Sequence, residues 1–334
     1  MVLLVLLLLS LVGHLGHFVS SLVSIASPAE RAAGPRLQEM LVEDAGTDDK
    51  IAVLDVDGLI SSFGDGSGYS MVDLIRHQLK RAGGDRDVKA VILRVNSPGG
   101  EVLASDEIYR IIDDFQVKTG KPVVASMGSL AASGGYYVSA PCRWIVANEL
   151  TITGSIGVIM HGYNYRGLMD KLGLRPEIYK SGKFKDMLSP DKAQEEILPE
   201  ERRILQGLIE ETFGRFKHVV AEGRRRADKK NDGSGRKLAE NWEEYADGRI
   251  LSGTQAWNLG FVDELGNFKT AVDRTKRLAS LTKASLIQYE QPFELSNLLR
   301  LFGKTDAKSV KLDLGVELPR LQIGHMYFLF QPGI

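Results

Sequence analysis

Residues 122–137, Pro-Val-Val-Ala-Ser-Met-Gly-Ser-Leu-Ala-Ala-Ser-Gly-Gly-Tyr-Tyr, pass from a β-branched apolar start into a block of small residues. Pro122 to Ser126 reads as a buried strand, and the block that follows closes on Tyr136 and Tyr137. Within it Ser133 is flanked by Ala131-Ala132 and Gly134-Gly135. Neighbours this small let another backbone come close, and the amide after the serine can point at a reacting carbonyl. A nucleophile needs both conditions; an ordinary core serine needs neither.

Working outward, the same alternation recurs. Ile51-Ala-Val-Leu-Asp-Val reads as a buried strand, and Met71 to Leu79 keeps apolar residues at helical spacing. Val88 to Val95 is a second inner strand that ends at Pro98-Gly99-Gly100, and Val102 to Phe115 reads as a helix. Past Ile145 come a short strand, a turn at Thr153-Gly154-Ser155 and a further strand through Ile159. Arg166 to Leu172, Leu198 to Glu222 and Gly253 to Leu259 read as helices, the last stopped by Gly260. Strand, loop and helix in this rhythm predict an α/β fold with a mostly parallel sheet under covering helices. Arg224 to Lys237, the most polar stretch, reads as a solvated loop, with contact to anionic lipid as its competitor. In the tail, Leu295 to Phe302 suggests an amphipathic helix and Met326 to Phe330 a strand.

Composition narrows the function. Lys+Arg 42 against Asp+Glu 43 gives a formal charge of -1, so nothing global favours a nucleic-acid partner. Cys142 is the single cysteine, which excludes an intrachain disulfide. The six histidines are scattered, no metal-ligand cluster stands out, and no cofactor motif is present. Gly303-Lys304-Thr305 lacks the leading glycine of a phosphate loop, which here is Leu298, so no ATPase module is expected.

The N-terminus carries no Asp, Glu, Lys or Arg before Glu30, and Val2 to Ala26 is mostly Leu, Val, Ile, Ala and Ser. That matches the roughly 20 residues a membrane-spanning helix needs. A cleaved leader ending at Ser24-Ile25-Ala26 is the competing reading. The expected organisation is an N-terminal transmembrane helix over 1–26, a linker over 27–49, a catalytic domain over 50–290 and a tail over 291–334. Arg31 and Arg36 just after the apolar stretch would, by charge counting, keep the following domain in the cytoplasm.

Three segments now stand in order: Asn96-Ser97-Pro98-Gly99-Gly100, the Ser133 block, and Ser181-Gly182-Lys183-Phe184-Lys185-Asp186. Together they resemble the signal peptide peptidase A (protease IV) family, membrane-anchored serine–lysine peptidases. The resemblance spans about Lys50 to about Arg277 and implies a ClpP/crotonase-like spiral of ββα units with covering helices. It implies Ser133 as nucleophile and Lys185 as general base, with Gly100 and Gly134 as oxyanion donors. Ser155 would hydrogen-bond the lysine amine, a turn-capping serine being the plainer alternative. Lys183 is the confusable neighbour, but the family lysine precedes an Asp and an apolar pair, here Asp186-Met187-Leu188. Such a lysine works only when neutral, so its reference pKa of about 10.4 must fall, usually by removal from water.

The resemblance further implies energy-independent cleavage of remnant signal peptides or other apolar membrane-associated peptides. The catalytic domain would lie on the extracytoplasmic side of the cell membrane. Single-copy relatives form ring-like homo-oligomers whose Ser and Lys come from neighbouring subunits. Four other readings compete. A ClpP-like triad would use His161 as base; a related Ser-Lys peptidase would clip a stomatin-type membrane scaffold protein. A non-catalytic membrane scaffold and a crotonase-like acyl-CoA enzyme complete the set.

Overall fold

The computed structural model describes residues 34–64, 68–291 and 326–330. The expected membrane-spanning segment 1–26 and the expected helix at Leu295 to Phe302 lie outside the described residues. Among those described, no helix is long and apolar enough to cross a membrane.

Three adjacent parallel strands form the centre of the main sheet: β2 (Lys50–Asp57), β3 (Val88–Ser97) and β5 (Val123–Ala132). Each reads as a nearly continuous apolar run because both of its faces are covered. Along β2, Ala52, Leu54 and Val56 enter one core cluster while Ile51 and Val53 enter the other. The sheet is completed on one side by β11 (Ser285–Glu290) and the edge strand β1 (Gln38–Glu43). On the other side lie β6 (Trp144–Ala147) and β10 (Glu264–Leu265), with β7 (Ile152–Gly154) and β9 (Ile250–Ser252) branching from the end of β5. Pairing is parallel except between β1 and β11 and between β7 and β9. β1 forms inside the stretch expected to be linker.

The larger core lies between the sheet and four helices. These are α1 (Met71–Gly84), α2 (Val102–Thr119), α3 (Gly134–Ser139) and the long α5 (Pro199–Lys230), which follows the short α4 (Arg166–Lys171). Ser70 caps α1 through a reciprocal capping box with Asp73, and Gly120 ends α2 in the left-handed region at φ 73°. After α6 (Gly253–Asn258), α7 (Phe268–Leu278) covers the opposite face with Ala271 and Val272.

A second, three-stranded sheet stands beside the first. Its strands are β4 (Gly99–Glu101), β12 (Met326–Leu329) and β8 (Ile159–Met160), with β12 in the middle and antiparallel to both.

One expectation is overturned. Arg224 to Lys237 is not a solvated loop throughout, because α5 runs on to Lys230. Arg224 is buried, its Nη2 2.8 Å from Asp263 Oδ2, and Arg226 pairs with Asp113 at 2.6 Å. These guanidinium groups point at carboxylates on other elements, which removes the reason for them to stay in water.

Candidate active site

β5 ends at Ala132, and the chain turns sharply through Ser133 into α3. Ser133 adopts φ 53° and ψ −116°, a conformation that a side-chain-bearing residue holds only at a cost of about 1–3 kcal/mol. Two bonds fix the turn. The Ser133 N–H donates to Gly154 O at 2.9 Å, and the Tyr137 N–H donates to Ser133 O at 2.8 Å. The serine is 1% exposed and its Oγ has no hydrogen-bond partner.

The glycine loop closes on this turn. Ser97 holds it, accepting from the Gly99 N–H at 3.0 Å while its own hydroxyl donates to Gly58 O at 2.6 Å. Gly99 takes φ 100°, and a Cβ there would fall 2.6 Å from Gly134 N. A Cβ on Gly134 would fall 3.0 Å from Gly99 Cα and 3.1 Å from Gly100 N. Side chains at these positions would hold the two loops apart. Their absence places the backbones of Gly99, Gly100 and Gly134 in contact, as an oxyanion site built from amides requires.

Ser155 also lies at this centre. It is buried, adopts φ 50°, and its N–H donates to Arg249 O at 2.7 Å. With Gly157, Val158, Gly248 and Leu329 it lines a cleft of about 330 Å³. Asp247 borders the cleft too, its carboxyl held down at about 2, chiefly by the Arg249 hydrogen bond.

Lys185 is bonded to none of these residues. It is exposed, on the arm between β8 and α5, and its side chain makes no hydrogen bond or ion pair with any described residue. The arm itself is anchored just beside it. Asp186 accepts from Lys180 at 2.7 Å and lies 3.4 Å from buried Lys192, which pairs with Glu201 at 2.6 Å. Lys183, the neighbouring candidate, pairs with Glu200 at 3.3 Å. His161, the rival base, also makes no bond to the serine, since its buried Nε2 has no partner. One protomer therefore brings together Ser133, Gly100, Gly134 and Ser155, while Lys185 is exposed and bonded to none of them.

A family model for peptidase family S49 matches residues 116–282, from the end of α2 to the stretch before β11. An Enterococcus faecium protein named signal peptide peptidase SppA is 39% identical over 259 residues, 76% of this chain and 71% of the relative. The chain belongs to peptidase family S49. Membership makes it a serine peptidase and brings it within the signal peptide peptidase A group that the three sequence segments resembled. Protease 4 of Haemophilus influenzae is 35% identical over 239 residues, covering 72% of this chain and 36% of that longer protein. The chloroplastic serine protease SPPA of Arabidopsis thaliana is 32% identical over 207 residues, covering 61% of this chain and 28% of its own length.

Residues behind the Ser133 turn had not been singled out from sequence. Tyr137 donates its hydroxyl to Asp106 at 2.6 Å, and Asp106 is held in turn by Arg110 and Arg215. Burial first, then that hydrogen bond, push the Tyr137 phenol far above its ordinary value, so it stays a donor. The only local signal was the tyrosine pair at the end of the small-residue block.

Proposed function

We propose that this S49 peptidase is a membrane-anchored endopeptidase that cleaves apolar, membrane-associated peptides such as remnant signal peptides. Ser133 attacks the peptide carbonyl, and the Gly100 and Gly134 amides bind the oxyanion. Lys185 of a neighbouring copy takes the serine proton and returns it to the leaving amine. Water then releases the acyl group by the same route in reverse. Ser155 hydrogen-bonds the lysine amine. The apolar segment 1–26 tethers the enzyme, with the catalytic domain outside the cytoplasm.

The observation that carries this reading is the partition of the site. Ser133 Oγ is buried and unpartnered, while Lys185 sits exposed on an arm that also presents Tyr163, Leu168, Leu172 and Tyr179 to solvent. An apolar arm bearing an unpaired lysine suits insertion into a second copy, which would strip water from the amine and lower its proton affinity. Assembly and activation would be one event.

Mixing tests it. Ser133→Ala and Lys185→Ala enzymes, each inactive alone, are co-assembled and assayed on an apolar peptide ester. Random assembly reconstitutes one intact site in four, so about a quarter of the unaltered activity should return. A mixture as dead as its components would rule out the shared site.

A further inference from the structure

A second cleft, of about 400 Å³, lies beside the segment that supports the glycine loop. Ile60 is fully buried; its N–H donates to Gly99 O and its carbonyl accepts from the Glu101 N–H, both at 2.9 Å. Its neighbours Leu59 and Ser61 line the cleft, together with Val53, Asp55 and Asp57 of β2. The cleft exists because β2 outruns its neighbour. Pairing with β11 stops at Val53 opposite Gln288, whereas pairing with β3 continues to Asp57 opposite Asn96. Gln78 ends the shorter ladder: its Nε2 donates to Tyr289 O at 3.0 Å, engaging the acceptor that a continuing ladder would use.

The unpaired stretch of β2 is a docking edge. The Gly58 N–H donates to Asn96 O at 3.0 Å, so across the planar peptide the Asp57 carbonyl points the opposite way, toward the cleft. By alternation the main-chain groups of Asp55 face the same side, and no described strand pairs with them there. The walls give this edge a sign. Asp55, Asp57 and Glu290 line it, and no Lys or Arg does. Asp55 is neutralised by Arg94, at 2.6 and 2.7 Å, but Asp57 accepts only from the uncharged Asn96 amide at 2.9 Å. Tyr289 and Gln78, which also line the cleft, each keep a buried oxygen that no described group bonds. Unused acceptors and a carboxylate without a cation suit a donor-rich basic side chain, and Leu59, Met71 and Leu74 offer an apolar wall for its stem.

We infer that this cleft is an exosite, which holds a Lys- or Arg-bearing segment of an extended peptide as an added strand on β2, next to the glycine loop. Main-chain bonds to Asp55 and Asp57 supply the affinity, and the Asp57 carboxylate supplies the preference for a basic residue. An apolar stretch adjoining the basic segment then reaches the glycine loop, because Asp57 stands only about 10 Å of extended chain before Ile60. Leader peptides have this composition, a basic start followed by an apolar run. The inference rests on the substrate class proposed above and names the part of that substrate which the cleft reads.

The test uses the full chain and two N-acetylated apolar peptides that differ only in a Lys-Lys or a Gln-Gln pair at the amino end. The Lys-Lys peptide should show a KM about tenfold lower at equal kcat, and about 0.5 M salt should remove the difference. Asp57→Asn keeps the acceptor for Asn96, so it should raise KM for the Lys-Lys peptide about tenfold and leave the Gln-Gln peptide unchanged. Equal KM for the two peptides, or an Asp57→Asn loss shared by both, overturns the inference. N-methylation of alternate amides in the basic segment should weaken binding in one register only, the one that faces β2. No loss in either register overturns the added strand. Calorimetry with the Lys-Lys peptide on Ser133→Ala, with and without Asp57→Asn, reads binding apart from turnover. Asp57-dependent binding with no hydrolysis by any form would sink the peptidase mechanism alone. Hydrolysis of both peptides without Asp57-dependent binding would sink the exosite alone.

Discussion

The Ser133 N–H and the Gly154 carbonyl are joined by a 2.9 Å hydrogen bond, so the end of β5 and the Thr153–Ser155 turn move as one piece. Ala132 is paired with Gly154 in the same ladder, and the Thr153 hydroxyl donates to Ala131 O at 2.7 Å. Ser155 is thereby fixed one residue beyond the partner of the Ser133 amide.

That geometry separates two roles for Ser155. At φ 50° it occupies a region glycine enters freely, so Ser155→Gly should fold with stability within about 1 kcal/mol of the parent. If the hydroxyl orients the lysine, both Ser155→Gly and Ser155→Ala should lose about tenfold or more in kcat. A turn-capping serine predicts the opposite, with kcat unchanged and Ser155→Ala the less stable. Steady-state kinetics and urea unfolding on the same preparations decide.

Gly134 and Gly100 should fail in different ways. Gly134→Ala puts a methyl 2.7 Å from Ser105 Oγ, which can rotate, and 3.0 Å from Gly99 Cα, which cannot. The loops part, and kcat should fall about 100-fold or more as the proposed oxyanion donor is misaligned. Gly100→Ala meets backbone at once, its methyl 1.9 Å from Ile60 O, so it should also unfold at lower temperature. Thermal melts beside activity assays would show that split.

Acid should weaken the packing behind the site. Burial alone would raise the Asp106 carboxyl, but hydrogen bonds from Tyr137, Arg110 and Arg215 outweigh it and hold it below the usual range. A carboxyl whose folded value lies below its unfolded one stabilises the fold above the unfolded value, about 3.9, and loses that contribution as pH falls through the folded value. Asp106→Asn should therefore cost about 1–2 kcal/mol at neutral pH and flatten the decline in stability below about pH 4. Urea unfolding across that interval measures both.

The Arg224–Asp263 pair makes a stability prediction with little effect on specificity. Asp263 also accepts from the Ile145 N–H at 2.8 Å and the Arg236 N–H at 3.2 Å, and burial pushes its carboxyl upward despite the guanidinium. Arg224→Met leaves a buried carboxylate without its cation and should cost about 3–5 kcal/mol. Adding Asp263→Asn, which restores neutrality and keeps the acceptor oxygen, should recover part of that loss. A double-mutant cycle in urea reads the coupling.

Much of the fold was legible because β2, β3 and β5 are buried on both faces, which leaves continuous apolar runs in the sequence. The Ser133 turn was legible for a related reason, since close backbone approach at Gly99, Gly100 and Gly134 tolerates nothing larger. Arg224 and Arg226 were misread because their partners, Asp263 and Asp113, lie 39 and 113 residues away. Local composition shows a charge without showing where it is neutralised. The strand at 326–329 was expected, but its partner β4 lies more than two hundred residues upstream, a distance at which periodicity carries no information. Lys185 could be named from its motif, yet the motif does not say that its side chain is exposed and makes no bond to the serine.

The lone hydroxyl of Ser133 has a consequence for the life of the protein. On the mechanism proposed, a freshly synthesised copy is born harmless and becomes dangerous only in company. Damage to the host's own polypeptides during biogenesis is averted by simple dilution.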